Sequence, residues 1–365
     1  MKEYRVAVIP GDNIGPEVTA EGVKCLDLIQ ELGYCRFSFE TYPWGAGYYV
    51  KNGRAAPENI AEILSAFDAI YFGAHGDPAR VPDGIASQQL MSPLRKGLDL
   101  YVNIRPVKSF AGVASPLKSL RSIDLVVVRE NAEGEYANVG GRLYRGTPHE
   151  MGIQTSVVTR RGAERIMRFA FDLARKRNSK KSVHCVTKSN ALPHTMELWD
   201  EVFEQVSSAY PDVGTTKSHF DAMSMYLITR PESFDVVVAT NLMGDVMSDE
   251  AAAVCGGIGL VASGNINPDG KQGMFEPIHG SAPDIAGQGI ANPIAAILAA
   301  GMMLNWLGEQ EAARALEAAV MTVLAQMTIR TRDLAGTART GEMTAAILSQ
   351  LRHTPFAPAY PSALP

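Results

Sequence analysis

The sequence predicts an α/β protein built on a large, mixed but mostly parallel sheet. Three observations carry that expectation. Short apolar runs of strand length alternate with helix-periodic segments along most of the chain, as in sheets covered on both faces. The 365 residues exceed a usual single domain, so two domains or one elaborated domain are expected. With 46% hydrophobic against 20% charged residues, the chain can bury a large core. The first apolar run covers residues 4–9 and leads into a helix pattern over about 16–32; further runs follow at 68–72, 123–128, 182–186 and 235–239. Segment 135–154, rich in polar residues and carrying Gly140, Gly141 and Gly146, breaks the alternation and reads as a hairpin or arm. From Asn292 onward the pattern is helical, and the closing HTPFAPAYPSALP has the composition of a loose tail.

Charge and cysteine usage narrow the function classes. A net charge of −5 argues against nucleic acid and against an anionic membrane surface as partners. Cys25, Cys35, Cys185 and Cys255 form no CxxC pair and sit in apolar surroundings, as expected of a reduced, intracellular protein. MKEYRVAVIPGD has too short an apolar run for a signal peptide, and the apolar stretch 294–304 is too short to span a bilayer. A soluble, cytoplasmic protein is therefore expected.

The segment FDVVVATNLMGDVMSDE holds the strongest chemical signal. An apolar run over 234–240 turns into a helix pattern, which puts Asp245 and Asp249 on one helix face just past a buried strand. With Asp221 of HFDAMSM, these carboxylates form an oxygen-only set suited to Mg²⁺ or Mn²⁺ rather than zinc. A solvated helix start would account for one such Asp but less readily for three beside several cations. Arg95 and Arg105 bracket the strand-like LDLYVNIRP, and Arg129 ends IDLVVVRE after five apolar residues. Their guanidinium groups can bind carboxylates bidentately, although Arg95, next to Lys96, reads about equally well as a surface residue. Lys188 follows the apolar SVHCVT, and Tyr136 lies in ENAEGEY; a base and an acid are available if these converge with the aspartates, and each alone is more often structural.

Glycine-rich segments suggest a nucleotide without its usual fingerprint. IPGDNIGPE carries only Gly11 and Gly15, so it is neither a GxGxxG motif nor a P-loop. EPIHGSAPDIAGQGIANP, residues 276–293, offers backbone amides followed by Asp284, which can accept from a ribose 2′-hydroxyl and repels a 2′-phosphate. By itself the segment also fits a plain Gly/Pro loop.

Together, FGAHGDP, VPD, LYVNIRPV, VVRENAEGEY, GGR, NINP and MFEPIHGSAPDIAGQGIANP resemble the metal-dependent, β-decarboxylating 2-hydroxyacid dehydrogenases, which include isocitrate, isopropylmalate, homoisocitrate and tartrate/D-malate dehydrogenases. The tartrate/D-malate branch is the most similar. The resemblance implies an isopropylmalate dehydrogenase-like two-domain fold, not a Rossmann fold. Residues 1–102 plus 255–365 would form the cofactor-side domain, and 103–254 the substrate, metal and dimerisation domain, with an arm at about 136–157. It further implies substrate carboxylates on Arg95, Arg105 and Arg129, a C3-substituent pocket at Gln88 and Met91, and a metal on Asp245 and Asp249 with Asp221 from a second subunit. Lys188, lent by that subunit, matches the base, and Tyr136 the acid. His279, Gly280, Ser281, Ala282, Asp284, Ile285 and Asn292 match the NAD loop, and Asn190 a nicotinamide contact. NADP-using relatives carry lysine and tyrosine where Asp284 and Ile285 stand.

The implied cofactors are NAD and Mn²⁺ or Mg²⁺, with K⁺ as a further candidate, and the implied assembly is a homodimer with shared active sites, open to higher association. The implied reaction is oxidative decarboxylation of a malate-like hydroxy-dicarboxylate, with D-malate or a tartrate favoured. A 3-substituted malate such as 3-isopropylmalate is the alternative, to which Met91 would offer an apolar contact. A catalytically silent binding protein on the same fold is the distant one. Several residues depart from the family pattern: Gln88 stands near a usual tryptophan, Pro93 can reshape the helix of ASQQLMSPLR, Asn13 replaces a glycine, Ala132 a threonine, and His75 a small or aliphatic residue.

Overall fold

The computed structural model describes residues 1–82, 84–118 and 122–353. Asp83 of the VPD motif and the tail from residue 354 lie outside the described residues. The chain opens with β1 (Glu3–Gly11), α1 (Gly15–Glu31), β2 (Arg36–Thr41), α2 (Ala46–Asn52), α3 (Ile60–Leu64) and β3 (Ala69–Ala74). A π-helical turn, Ser87–Met91, runs directly into α4 (Ser92–Gly97). Next come β4 (Val102–Lys108), β5 (Asp124–Glu130), the hairpin β6 (Gly134–Leu143) and β7 (Met151–Val157), and α5 (Arg160–Arg177). β8 (Ser182–Thr187), α6 (Pro193–Ser207), β9 (Gly214–His219), α7 (Phe220–Thr229), β10 (Val236–Ala239) and α8 (Asn241–Val254) follow. β11 (Ala262–Ile266), β12 (Gly273–Pro277), α9 (Ile294–Trp306), α10 (Gln310–Gln326) and α11 (Thr340–His353) complete it.

Ten strands form one continuous sheet in the order β2-β1-β3-β12-β11-β4-β5-β10-β8-β9. Its two flanks are parallel within themselves, β2-β1-β3-β12 on one side and β5-β10-β8-β9 on the other. Between them, β12-β11, β11-β4 and β4-β5 pair antiparallel, so the flanks run in opposite directions. The apolar runs read from sequence coincide with β1, β3, β5, β8 and β10, and segment 135–154 is the hairpin β6-β7. The short strands β2, β9, β11 and β12, mostly exposed or interrupted by polar residues, carry no such apolar run.

The fully buried residues of β5 and β10, Val126–Val128 and Val236–Val238, pack under α5 and α8 in the main core. A second apolar cluster around Ile9, Trp44, Phe72 and Leu94 fills the space beside α3 and α4. β5 and β10 are adjacent and parallel, so Arg129 and the start of α8 emerge at one sheet end. Arg105 lies instead inside β4, antiparallel to β5, where register pairs Asn103 with Arg129.

Candidate active site

The site is built around Asp245, in the second turn of α8. Arg105 Nη2 lies 3.0 Å from Asp245 Oδ1, the Arg129 guanidinium donates to the same oxygen, and Tyr136 Oη donates to Oδ2 at 2.9 Å. Arg129, 2% exposed, is clamped from behind as its Nε and Nη2 donate to Asn241 Oδ1 at 2.9 and 2.7 Å. Such close approach needs Gly244, where an added Cβ would meet Arg129 Cβ at 2.8 Å. One turn on, Asp249 is half-exposed, with Arg105 Nη1 at 3.3 Å.

These surroundings divide the two carboxylates. Burial pushes the Asp245 carboxyl up, but Arg129 and Arg105 outweigh it and hold it below the usual range. Burial raises Asp249, and the neighbouring Asp245 charge adds to the rise. Burial and the nearby Arg105 lower Arg129 to about 10, while burial and Asp245 raise the Tyr136 phenol.

Lys188 and Asp221 form a separate pair. Lys188, just past β8, places Nζ 2.6 Å from Asp221 Oδ1 at the start of α7, and that hydrogen bond lowers the Asp221 carboxyl. Asp221 is 69% exposed. Within the one chain it does not join Asp245 and Asp249: among the described residues no three His, Cys, Asp or Glu side chains converge as metal ligands. Exposed Met225 and Ile228 on α7 and Leu242 and Val246 on α8 share this surface, and the hairpin exposes Val139, Leu143, Met151 and Ile153.

A buried polar stripe crosses the antiparallel middle of the sheet. Arg95 on α4 donates from Nη2 to Glu276 Oε1 at 3.1 Å, and its buried Nε meets no acceptor among the described residues. Asn265 Nδ2 donates to the same Glu276 oxygen at 2.8 Å, Asn103 Nδ2 donates to Asn265 Oδ1 at 2.9 Å, and Arg105 Nε donates to Asn103 Oδ1 at 2.9 Å. Sequence reasoning missed Asn103, Asn241, Asn265 and Glu276. For two of them the signal was present: Asn103 and Arg105 stand two apart in VNIRPV, and Ser263 and Asn265 two apart in ASGNI, a period of two that puts each pair on one sheet face.

The expected cofactor loop follows β12. Ser281 Oγ donates to Gly76 O at 2.5 Å, and Ile14 N donates to Ser281 O at 3.0 Å, which ties the loop to the β1–α1 turn. Burial lowers the His279 imidazole below its usual range, and its Nε2 has no partner among the described residues. Asp284 is exposed and Ile285 half-buried. Asn292 is committed internally, donating to Asp333 Oδ2 at 2.8 Å and accepting from Ile294 N at 3.0 Å at the head of α9. Asn190 is exposed beside Lys188.

Residues 5–347 match the family described as isocitrate/isopropylmalate dehydrogenase. The chain belongs to that family. It is 47% identical to a probable tartrate dehydrogenase/decarboxylase of Bacillus subtilis (strain 168), across 96% of this chain and 99% of the relative. It is 46% identical to the D-malate dehydrogenase [decarboxylating] of Escherichia coli (strain K12), across 95% and 98%. The crystal structure of isocitrate dehydrogenase from Methylococcus capsulatus matches it with a TM-score of 0.87 at 37% identity, over 96% of this chain and 99% of that one. As a member of the isocitrate/isopropylmalate dehydrogenase family, the protein is an oxidoreductase acting on a CH–OH group.

Several departures from the family pattern have visible causes. Asn13 takes φ +52°, a left-handed conformation that glycine and asparagine tolerate, and its Nδ2 donates to Gly76 O at 3.1 Å. Ser92 N bonds to Ser87 O, five residues back, immediately before Pro93, whose missing N–H cannot continue the α pattern. Met91 requires a correction. Only 2% exposed, it packs with Leu90 and Leu94 in the second apolar cluster, so it serves the core rather than a ligand surface. Gln88 is exposed. His75, past β3, packs edge-on to Phe72 and lines a cavity of about 180 Å³ with Ala46, Ala55, Gly84 and Ser87. Nothing in the structure explains Ala132.

Proposed function

We propose that the protein catalyses NAD-dependent, divalent-cation-dependent oxidative decarboxylation of a malate-like 2-hydroxy acid, with D-malate or a tartrate as substrate. The carrying observation is the convergence of Arg105, Arg129 and Tyr136 on the Asp245 carboxylate, one turn from Asp249. The names of the B. subtilis and E. coli relatives support the substrate class.

The residues fit the implied groups. Asp245 and Asp249 offer oxygen only, and burial leaves Asp249 reluctant to ionise, a strain that a hard cation would relieve. The buried, orphaned Nε2 of half-buried His279, the open space at Gly280 and the exposed Asp284 fit a dinucleotide without a 2′-phosphate. When bound, the dinucleotide supplies a hydride acceptor and the cation a Lewis acid for the electrons that the departing carboxyl leaves. Arg95, with its free Nε, Arg105 and Arg129 bind and orient the substrate carboxylates. Lys188 takes the C2 hydroxyl proton. Tyr136, kept protonated by burial and Asp245, returns a proton at C3.

Asp221 at the start of α7 pairs with Lys188 just past β8, and α7 and α8 expose Met225, Ile228, Leu242 and Val246, so a second copy on this apolar surface would bring the pair to Asp245 and Asp249 and complete the site in a homodimer. Residues 1–102 with 255–365 form the cofactor side of this arrangement and 103–254 the substrate and dimer side.

NADH formation with Mn²⁺ across D-malate, L- and meso-tartrate, 3-isopropylmalate and isocitrate, with CO₂ measured in parallel, tests the reading. Turnover with equimolar CO₂ on D-malate or a tartrate is expected; NAD binding without turnover on any acid refutes it. One observation favours a 3-alkylmalate as second reading: the small side chains of Ala46 and Ala55 leave the cavity beside His75 room for a branched substituent.

A further inference from the structure

We infer that Asn103 and Asn265 are positioning residues, which set the orientation of Arg105 and Arg95 toward the substrate carboxylates. The inference rests on the functional reading above and extends it to residues that touch neither substrate nor cofactor. Both asparagines are fully buried, in the middle of the ten-stranded sheet, directly opposite each other in the β11-β4 register. Buried polar groups there must be paired, and these are. Asn265 Oδ1 accepts from Asn103 Nδ2 and from Asn131 Nδ2, each at 2.9 Å, while its own Nδ2 donates to Glu276. Asn103 Nδ2 also donates to Ser263 Oγ at 2.7 Å, which leaves Asn103 Oδ1 for Arg105 Nε.

The chain therefore has one direction only. It starts at the Glu276 carboxylate, which holds Arg95, passes through two amides that each donate on one side and accept on the other, and ends on the Arg105 cation. A carboxamide carries its donor and its acceptor on separate atoms, so an asparagine at each position fixes which atom faces which arginine. Arg105 is thereby locked at Nε and presents Nη1 and Nη2 toward Ser248, Asp249 and Asp245. Arg95 is held by Nη2, and its buried Nε has no partner among the described residues. Supporting shells of this kind typically govern about 10- to 100-fold in affinity or activity.

Asn103→Leu, Asn103→Asp and Asn265→Leu in the full-length protein, the last also combined with Arg95→Ala, test the inference through KM and kcat for D-malate and the tartrates. Asn103→Leu should raise KM at least about tenfold, and Asn103→Asp, which keeps an acceptor for Arg105 Nε but loses the donor to Asn265, should recover part of that loss. Asn265→Leu should cost about tenfold in the wild-type background and under about threefold once Arg95 is gone, because the group it positions is absent. A purely structural role predicts the opposite: Asn103→Asp at least as damaging as Asn103→Leu, and an Asn265→Leu loss independent of Arg95. Either result overturns the inference. Should Asn103→Leu fail to fold, the cycle on Arg95 decides alone. A wild-type protein inactive on every acid would sink the functional reading, whereas an active wild type with additive losses sinks only the positioning role.

Discussion

At the scale of single residues, environment rather than identity decides what each carboxylate does. Glu130 is 3% exposed, and burial pushes its carboxyl up to about 7 although Ala132 N and Glu133 N donate to it at 3.0 and 2.8 Å. A carboxyl raised in the folded state binds its proton more tightly there than in the unfolded chain. Its stabilising contribution is therefore complete below about pH 4.5 and lost as pH rises through about 7. Unfolding in urea should show stability falling by on the order of 3 kcal/mol across that window from this group, and Glu130→Gln should flatten the fall. Asp284, the residue proposed to discriminate cofactors, is exposed. Replacing Asp284 with Lys and Ile285 with Tyr should move the ratio of kcat/KM for NAD over NADP toward NADP, and an unaltered ratio would refute the assigned cofactor. Charged residues at strand ends were legible in sequence because apolar runs made them conspicuous. The partner of Arg129 was not, since Asn241 differs from an ordinary polar residue only through a contact 112 residues away, whereas Asn103 stands two residues from Arg105 on one sheet face.

At the scale of elements, α8 shows what sequence periodicity reveals and what it conceals. Spacing of four put Asp245 and Asp249 on one face, as found, and the apolar run before them is β10. Gly244 gave no comparable signal, because its importance lies in the Arg129 side chain that crosses it. Gly244→Ala should destabilise the fold by roughly 1–3 kcal/mol in denaturant titrations and weaken substrate binding as Arg129 is displaced. Met91 misled because the resemblance assigns its segment to the pocket for the C3 substituent, whereas its side chain packs into the second apolar cluster. The strands β11 and β12 escaped notice because their burial comes from position in the sheet, and their polar residues are paired only by tertiary contacts.

At the scale of the whole molecule, the opposite directions of the two sheet flanks bring the arginines of β4 and β5 together at their shared antiparallel border. Alternation alone could not show that reversal, since strand polarity leaves no mark in an apolar run. The Lys188–Asp221 pair makes a quantitative statement about assembly. Asp221→Asn and Asp245→Asn should each abolish turnover, yet mixing equal amounts through reversible unfolding should restore about a quarter of the wild-type sites, because each mixed dimer contains one intact set. No recovery, with mixed dimers present by native mass spectrometry, would place both aspartates in one subunit's site. The π turn over Ser87–Met91 also bears on any attempt to exchange selectivity with relatives. An extra residue accommodated in one loop of helix rotates what precedes it by roughly 100° relative to an uninterrupted helix. Segments transplanted from a continuous helix would then aim the incoming side chains at the wrong wall, and such a graft would have to shift the alignment by one place.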